Sequence, residues 1–268
     1  MSIPAEGYPL AAAVSPRLQV VETTGSTNAD AVAAVAADEA AWPHLSVLLT
    51  TDQRHGRGRL DRTWTAPAGT ALAVSVVVRV PGLPVAARGW IPLIAGAAMT
   101  RAVRAQLSEG GHDVSLKWPN DVLAGGGKIC GILAEAVANH PDAVVVGAGV
   151  NTRMSQADLP VATAVSFASL GREADEDRLL ADYLTALDEQ LQALTAAGGD
   201  ADASGVMAGV AEHCATLGSD VTVSMPDGTL LEGRAERLDA SGRLVVVAGG
   251  AEVPVAAGDV THVRPAAS

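Results

Sequence analysis

Leu116-Lys117-Trp118-Pro119-Asn120-Asp121, followed seven positions later by Lys128 and then by Gly131-Ile132-Leu133, is the stretch that decides the fold. Residues 114–118 read as a strand. Pro119 has no N–H for a ladder and fixes its own φ, so the strand ends there and Asn120 and Asp121 stand on a defined corner. Gly125-Gly126-Gly127 suits a hairpin turn between Val122-Leu123 and a strand over 129–137. That hairpin brings Lys128 back toward the corner. Trp118 reads as core packing, and a lysine after a glycine turn is also what a solvated surface looks like.

Outward from this hairpin, strands and helices alternate from about residue 19 to residue 214. Helices are expected over 28–39, 90–108, 175–195 and 204–214. Strands are expected over 18–22, 45–51, 70–80, 114–118, 129–137 and 143–150. Thr27, with Asp30 three residues on, looks like a capping box opening the first helix. Residues 1–16 carry no periodicity and read as a loose arm; the turn-rich 196–204 reads as mobile. From about Leu217 the pattern changes to five short strands, 220–225, 229–237, 243–248, 251–255 and 259–263, broken by Pro226-Asp227-Gly228 and Ala240-Ser241-Gly242. That density suggests a small barrel. The division is an arm (1–16), a large domain (17–215) and a small one (216–268).

Composition narrows the function. Nearly half of the 268 residues are apolar, enough for a sizeable core. No apolar run reaches the roughly 18 residues that span a bilayer, so no membrane association is expected. Two cysteines, Cys130 and Cys214, make neither a disulfide framework nor a zinc site, and the expected compartment is the cytoplasm. A net charge of −12 argues against general nucleic-acid binding. The 18 positive side chains are 16 arginines and only two lysines, Lys117 and Lys128. A GC-rich genome would strip out lysine generally, which draws notice to the two that remain, because an ammonium and a guanidinium are not equivalent at a shaped site.

Three further segments carry chemistry. In Thr51-Asp-Gln-Arg-His-Gly-Arg-Gly-Arg-Leu-Asp-Arg-Thr-Trp64, four arginines (54, 57, 59, 62) fall within nine residues of an acidic chain. Gly56 and Gly58 let backbone approach a ligand, and Trp64 offers a stacking face. A charge run is usually a solvated face, but like charges on a flexible loop repel unless something anionic gathers them. The segment therefore reads as a phosphate-gathering loop, mobile over 54–64 without ligand because its arginines have no evident partner. Gly25-Ser26-Thr27-Asn28 stands at a helix start, where capping and ligand binding are both open. Gly147-Ala-Gly149-Val-Asn151 ends an apolar strand; Thr152 stands where a dinucleotide fingerprint needs its third glycine, and Gly127-Lys128 is followed by Ile, so neither that fingerprint nor a P-loop is present. Two glycines close to a neighbouring element, with Asn151 toward a ligand, is the reading that remains.

Taken in order, Ser26-Thr27-Asn28, Gly56-Arg57-Gly58-Arg59 with Arg62 and Trp64, Lys117 to Asp121 with Lys128, and Gly147 to Asn151 resemble the pattern of the biotin–protein ligases over about residues 19–265. The resemblance implies an α+β fold, with a class II aminoacyl-tRNA-synthetase-like domain whose mixed or antiparallel sheet is flanked by helices, plus a C-terminal SH3-like barrel. It implies formation of biotinyl-5'-AMP from biotin and ATP with Mg²⁺, then transfer to a lysine of a biotin carboxyl carrier domain of an acetyl-CoA or acyl-CoA carboxylase.

The implied roles follow position by position. Biotin would contact Ser26, Thr27, Asn28, Gln53, Gly56, Arg57, Gly58, Arg59, Lys128 and Gly131. ATP would meet Arg59, Arg62, Trp64, Asn120, Lys128 and Asn151, and Lys128 and Arg59 would be catalytic. Only about 25 residues precede Ser26, too few for the DNA-binding domain of bifunctional relatives, so the resemblance is to the monofunctional form and no DNA partner is expected. Two alternatives stay open: a lipoate-type acyl-adenylate ligase, and a noncatalytic biotin-binding regulator.

Overall fold

The computed structural model describes residues 7–59, 62–225, 227–256 and 258–262. Its larger part is a seven-stranded mixed sheet. The strands are β1 (Leu18–Val20), β2 (Ser46–Thr50), β5 (Ala71–Arg79), β6 (Val114–Lys117), β7 (Asp121–Ala124), β8 (Gly127–Val137) and β9 (His140–Asn151), in the order β1-β2-β5-β9-β8-β7-β6. Only β1 and β2 are parallel; every other pair is antiparallel. A separate two-stranded ribbon joins β3 (Gly56–Arg57) to β4 (Thr63–Trp64).

The centre of the sheet is where the apolar runs are longest. In β5 the first eight of nine residues are buried, as befits a strand covered on both faces. Helices α3 (Trp90–Leu107) and α4 (Glu176–Ala196) pack one face around Trp90, Ile94, Tyr183 and Leu187, joined by α5 (Val206–His213). Helix α2 (Thr27–Ala37) covers the outer part of the other face through Ala31 and Val35 against Leu48, Val77 and Val145. The rest of that second face is left open.

The C-terminal unit contains β10 (Asp220–Ser224), β11 (Leu230–Leu238), β12 (Leu244–Ala248), β13 (Ala251–Val255) and β14 (Asp259–His262), antiparallel in the order β13-β12-β11-β10-β14. The expected barrel is an SH3-like sheet whose ladder stays open between β13 and β14 among the described residues. Its β11–β12 turn plugs into the large domain. The indole N–H of Trp90 donates to Ala240 O (2.9 Å) and that of Trp118 to Gly242 O (3.2 Å). Gly89 is needed there, because a Cβ on it would lie 2.3 Å from Ser241 O.

Two expectations about order are corrected. The expected loose arm spans 1–16, of which residues 1–6 lie outside the described residues; residues 9–14 form helix α1 (Pro9–Val14), with Tyr8 and Ala11 buried. The Asp177 carboxylate accepts from the N–H groups of Leu10 (3.0 Å) and Ala11 (2.9 Å), satisfying donors that a helix start leaves free. The 196–204 turn is likewise pinned: Asp200 Oδ1 accepts from Asp202 and Ala203 N–H, and Ala201 is buried.

Candidate active site

The open part of the sheet's second face forms the floor of a cleft. Register brings Ala73, Gly149 and Gly131 side by side on β5, β9 and β8, with Ser75, Gly147 and Leu133 in the next row. Small residues are what a floor needs when something flat must lie on it. The cleft encloses about 880 Å³ of space with its open mouth included. The two glycines of β9 admit neighbouring side chains: a Cβ on Gly147 would lie 2.3 Å from Asn28 Oδ1, and one on Gly149 would lie 2.7 Å from Trp64 Cε2. Gly131 lies under Lys128, whose Nζ would be 3.1 Å from an added Cβ.

The closed end of the cleft is the start of α2. Ser26, rather than Thr27, is the N-cap, accepting from Ala29 N–H at 3.4 Å. Thr27 is thereby free to face the cleft. Its N–H (2.8 Å) and hydroxyl (3.1 Å) both meet Gln53 Oε1, which fixes the Gln53 amide with its NH₂ as the remaining donor. Asn28, which borders the cleft, has its amide bonded within the protein. Its Nδ2 donates to Leu133 O (3.1 Å) and Glu135 Oε2 (2.8 Å), while its Oδ1 lies 2.6 Å from Ser75 Oγ.

The mouth is lined by the arginine loop. Arg57, Arg59 and Arg62 border the cleft with Gly58, Thr63 and Trp64. Each arginine has a partner, so the premise of unpartnered, mutually repelling charges is corrected. Arg57 Nη2 meets Glu135 (3.0 Å), Arg59 Nη1 donates to Asn120 Oδ1 (3.1 Å), and Arg62 Nη2 meets Asp259 of the C-terminal sheet (2.8 Å). Arg54 pairs with Asp52 at 3.0 Å and does not border the cleft. Residues 60 and 61 lie outside the described residues, so the expectation of a mobile 54–64 loop is set aside for that part. Burial lowers the pKa of Arg59, whereas the Asp259 carboxylate raises that of Arg62 and is itself held below the ordinary range by the Arg62 hydrogen bond.

The third side is the 116–121 corner. Lys117 pairs with Asp121 in the β6–β7 register, and the Trp118–Pro119 peptide is cis. Asn120 anchors itself through Nδ2 to Ile132 O at 2.8 Å, leaving Oδ1 for Arg59. Lys128 does return to this corner: its Nζ lies 2.6 Å from Asp121 Oδ1. The ammonium is therefore held in place by a carboxylate, with part of its side chain still exposed to the cleft. Beneath it, burial pushes the Cys130 thiol up to about 12, far from a thiolate nucleophile.

Ser26, Thr27, Asn28, Gln53, Arg57, Gly58, Arg59, Arg62, Trp64, Asn120, Lys128 and Gly131 thus border one cleft. Two of the expected residues do not. Gly56 lies against Trp64, where a Cβ would come within 2.5 Å of the Trp64 carbonyl oxygen, so its part is in pairing β3 with β4. Asn151 is buried and its Nδ2 donates to Val165 O (2.8 Å), tying the strand end to the segment whose backbone pairs with Lys128. Reading the sequence missed Asp121 as the Lys128 partner, Asp259 at the mouth and Glu135 behind Arg57. Only the first had a local signal, the hairpin that returns Lys128 to the corner.

Comparison with known proteins agrees with this geometry. Residues 20–151 match the biotin/lipoate A/B protein ligase family, and residues 216–263 match the biotin protein ligase C-terminal domain. The chain is 39% identical over 249 residues to the biotin–[acetyl-CoA-carboxylase] ligase of Mycobacterium tuberculosis, covering 92% of this chain and 90% of that one. It is also 39% identical to the Paracoccus denitrificans ligase of the same name, over 48% of this chain and 51% of that one. Among solved structures, the biotin protein ligase of Aquifex aeolicus in complex with biotin and ATP superposes with a TM-score of 0.74 at 20% identity, covering 93% of this chain and 99% of that one. With a relative of this identity matched over nearly its whole length, the chain belongs to the biotin protein ligase family.

Proposed function

We propose that this cleft joins biotin to AMP at the expense of ATP and then passes the biotinyl group to a lysine of a carboxylase carrier domain. The observation that carries the reading is the convergence, in one cavity, of a neutral hydrogen-bonding end with four fixed cations. Thr27 and Gln53 suit an uncharged ureido ring, which needs oriented partners and no charge. Arg57, Arg59, Arg62 and Lys128 suit a carboxylate that must touch a phosphate.

The electrostatic requirement is large. Two like charges about 4 Å apart repel by roughly 4 kcal/mol at an effective dielectric near 20, which is about three orders of magnitude in rate. In the first step a biotin carboxylate oxygen attacks the α-phosphorus. A C–O–P anhydride bond forms and the bond to pyrophosphate breaks. Lys128, held by Asp121, and Arg59, held by Asn120, are cations already in place as charge develops, so no reorganisation is needed at that moment. In the second step the neutral amine of the acceptor lysine attacks the anhydride carbonyl. A C–N bond forms, AMP leaves, and the amine gives up its proton.

Trp64, lying over Gly149, offers a flat face for the nucleotide base. Magnesium fits as an ion arriving with the nucleotide. Among the described residues no group of three or more His, Cys, Asp or Glu side chains is set to cage it, and Mg²⁺ commonly uses substrate phosphates, waters and one or two carboxylates. Among the described residues, Asp121 and Asp259 are the carboxylates bordering the cleft. Such an ion would neutralise phosphate charge.

The test is to incubate the protein with ATP, Mg²⁺ and an acceptor domain, with biotin or with lipoate, and weigh the acceptor. A mass gain of one biotinyl group with biotin alone is expected. Gain with lipoate, or none with either, overturns the reading.

A further inference from the structure

Glu135 lies at a junction that neither the motif pattern nor the reaction chemistry assigns. It follows Gly131 and Leu133 on the cleft-facing side of β8, and one of its carboxylate oxygens, Oε2, receives two donors. Asn28 Nδ2 approaches at 2.8 Å from the closed end, and Arg57 Nη2 at 3.0 Å from the mouth. The carboxylate is partly buried, its side chain retaining 25% exposure, so both contacts are made where screening is reduced.

The consequence for Asn28 is an enforced orientation. With its NH₂ between Glu135 and the Leu133 carbonyl, its oxygen must face Ser75. The flipped amide would set oxygen against a carboxylate and a carbonyl, three acceptors with no hydrogen among them. Ser75 has a single hydroxyl hydrogen, and Asn28 Oδ1 at 2.6 Å claims it. Thr27 Oγ1 lies 2.8 Å from Ser75 Oγ and 3.1 Å from Gln53 Oε1, so the Ser75 hydroxyl stands between the Asn28 amide and the Thr27–Gln53 pair. One carboxylate thus sets the orientation of the Asn28 amide, and through it the Ser75 hydroxyl beside Thr27, while it tethers the arginine loop by charge.

We propose that Glu135 is a positioning residue for biotin activation, fixing Asn28 and Arg57 relative to one another through a single shared oxygen. The inference rests on the biotin-activating reading above, and its test separates the two. Biotin-dependent exchange of pyrophosphate into ATP is measured for the wild type, Glu135→Ala and Glu135→Gln, and hydrogen exchange of the ligand-free proteins is followed at residues 56–59 and 62–64. No biotin-dependent exchange by the wild type sinks the functional reading, and the ligand-free hydrogen exchange still judges Glu135.

For Glu135→Ala the KM for biotin should rise about tenfold, the weight of one charge-assisted hydrogen bond, with the KM for ATP and kcat little changed. The arginine-loop amides should exchange faster. Glu135→Gln keeps an acceptor for Asn28 and should be partly rescued in KM while the loop remains loosened. An unchanged biotin KM with unchanged loop protection overturns the proposal. So does a parallel loss in kcat, both KM values and melting temperature, which would mark general loosening. If Glu135→Ala does not fold, Glu135→Gln carries the same two readouts, and a wild-type biotin KM with wild-type loop protection overturns the proposal.

Discussion

Gly147→Ala tests the packing that builds the closed end of the site. The added Cβ would sit 2.3 Å from Asn28 Oδ1, 2.8 Å from its Cγ and 2.9 Å from its Nδ2, all inside the 3.0 Å that real Cβ atoms keep, and these are the three nearest atoms. Asn28 has little freedom to give way: its backbone is in the first turn of α2 and its amide is held by Leu133, Glu135 and Ser75. Expelling it forfeits three hydrogen bonds, one of them to a carboxylate, for about 4 kcal/mol; partial adjustment would halve that. Against a typical 5–15 kcal/mol for a whole domain, the variant folds but is plainly weakened. The assay is urea unfolding of the wild type, Gly147→Ala, Asn28→Ala and the double variant. With Asn28 truncated, the same alanine should cost under about 1 kcal/mol, giving a coupling of about 2–3 kcal/mol. A Gly147→Ala change that costs the same in both backgrounds, or nothing in either, refutes the reasoning.

Other outcomes follow from the same geometry. His262 and His213 both have pKa values lowered first by burial, with Lys117 and Arg104 respectively adding repulsion. Because their folded pKa lies below the unfolded one near 6.5, the unfolded chain binds protons first and stability falls as pH drops below about 6.5. His262→Gln should flatten that slope in melting temperature between pH 7 and 5, and an unchanged slope would rule its part out. His262 also meets Thr216 Oγ1 (3.1 Å), which accepts from Trp118 N–H, so the effect should appear at the domain junction. Trp118→Phe removes the donor to Gly242 O and should cost about 1–3 kcal/mol by leaving that carbonyl unpaired; calorimetry reads it, and a cost near zero contradicts the plug description. Both cysteines are buried with raised pKa values, so a thiol reagent should label neither until urea unfolds the chain; prompt labelling of the native protein would show Cys130 reachable from the cleft.

Much of the frame could be read in the chain because its signals are local. The apolar run of β5, the proline that ends β6 and the glycine turn before β8 each act within a few residues of themselves, and they put Lys128 at its corner. What stayed hidden depends on contacts far apart in sequence. Helix α1 is held by Asp177, 166 and 167 positions away from the amides it caps. The partners of Arg57 and Arg62 lie 78 and 197 positions off, so charge counting along the loop suggested repulsion where the fold supplies carboxylates. Asn151 shows the limit of strand alternation: it shares the parity of Gly147 and Gly149, yet its amide is used by Val165. Parity fixes which face a residue takes, and not whether the site extends that far along the strand.

The central claim is that cations fixed in advance let two anionic reactants meet. Single-turnover formation of biotinyl-AMP by Lys128→Ala, at saturating biotin and MgATP with folding verified, tests it most directly. A fall of about 10²–10³ in the rate constant is predicted, the size seen when one preorganised charge-stabilising group is removed. A rate equal to the wild type would contradict the account.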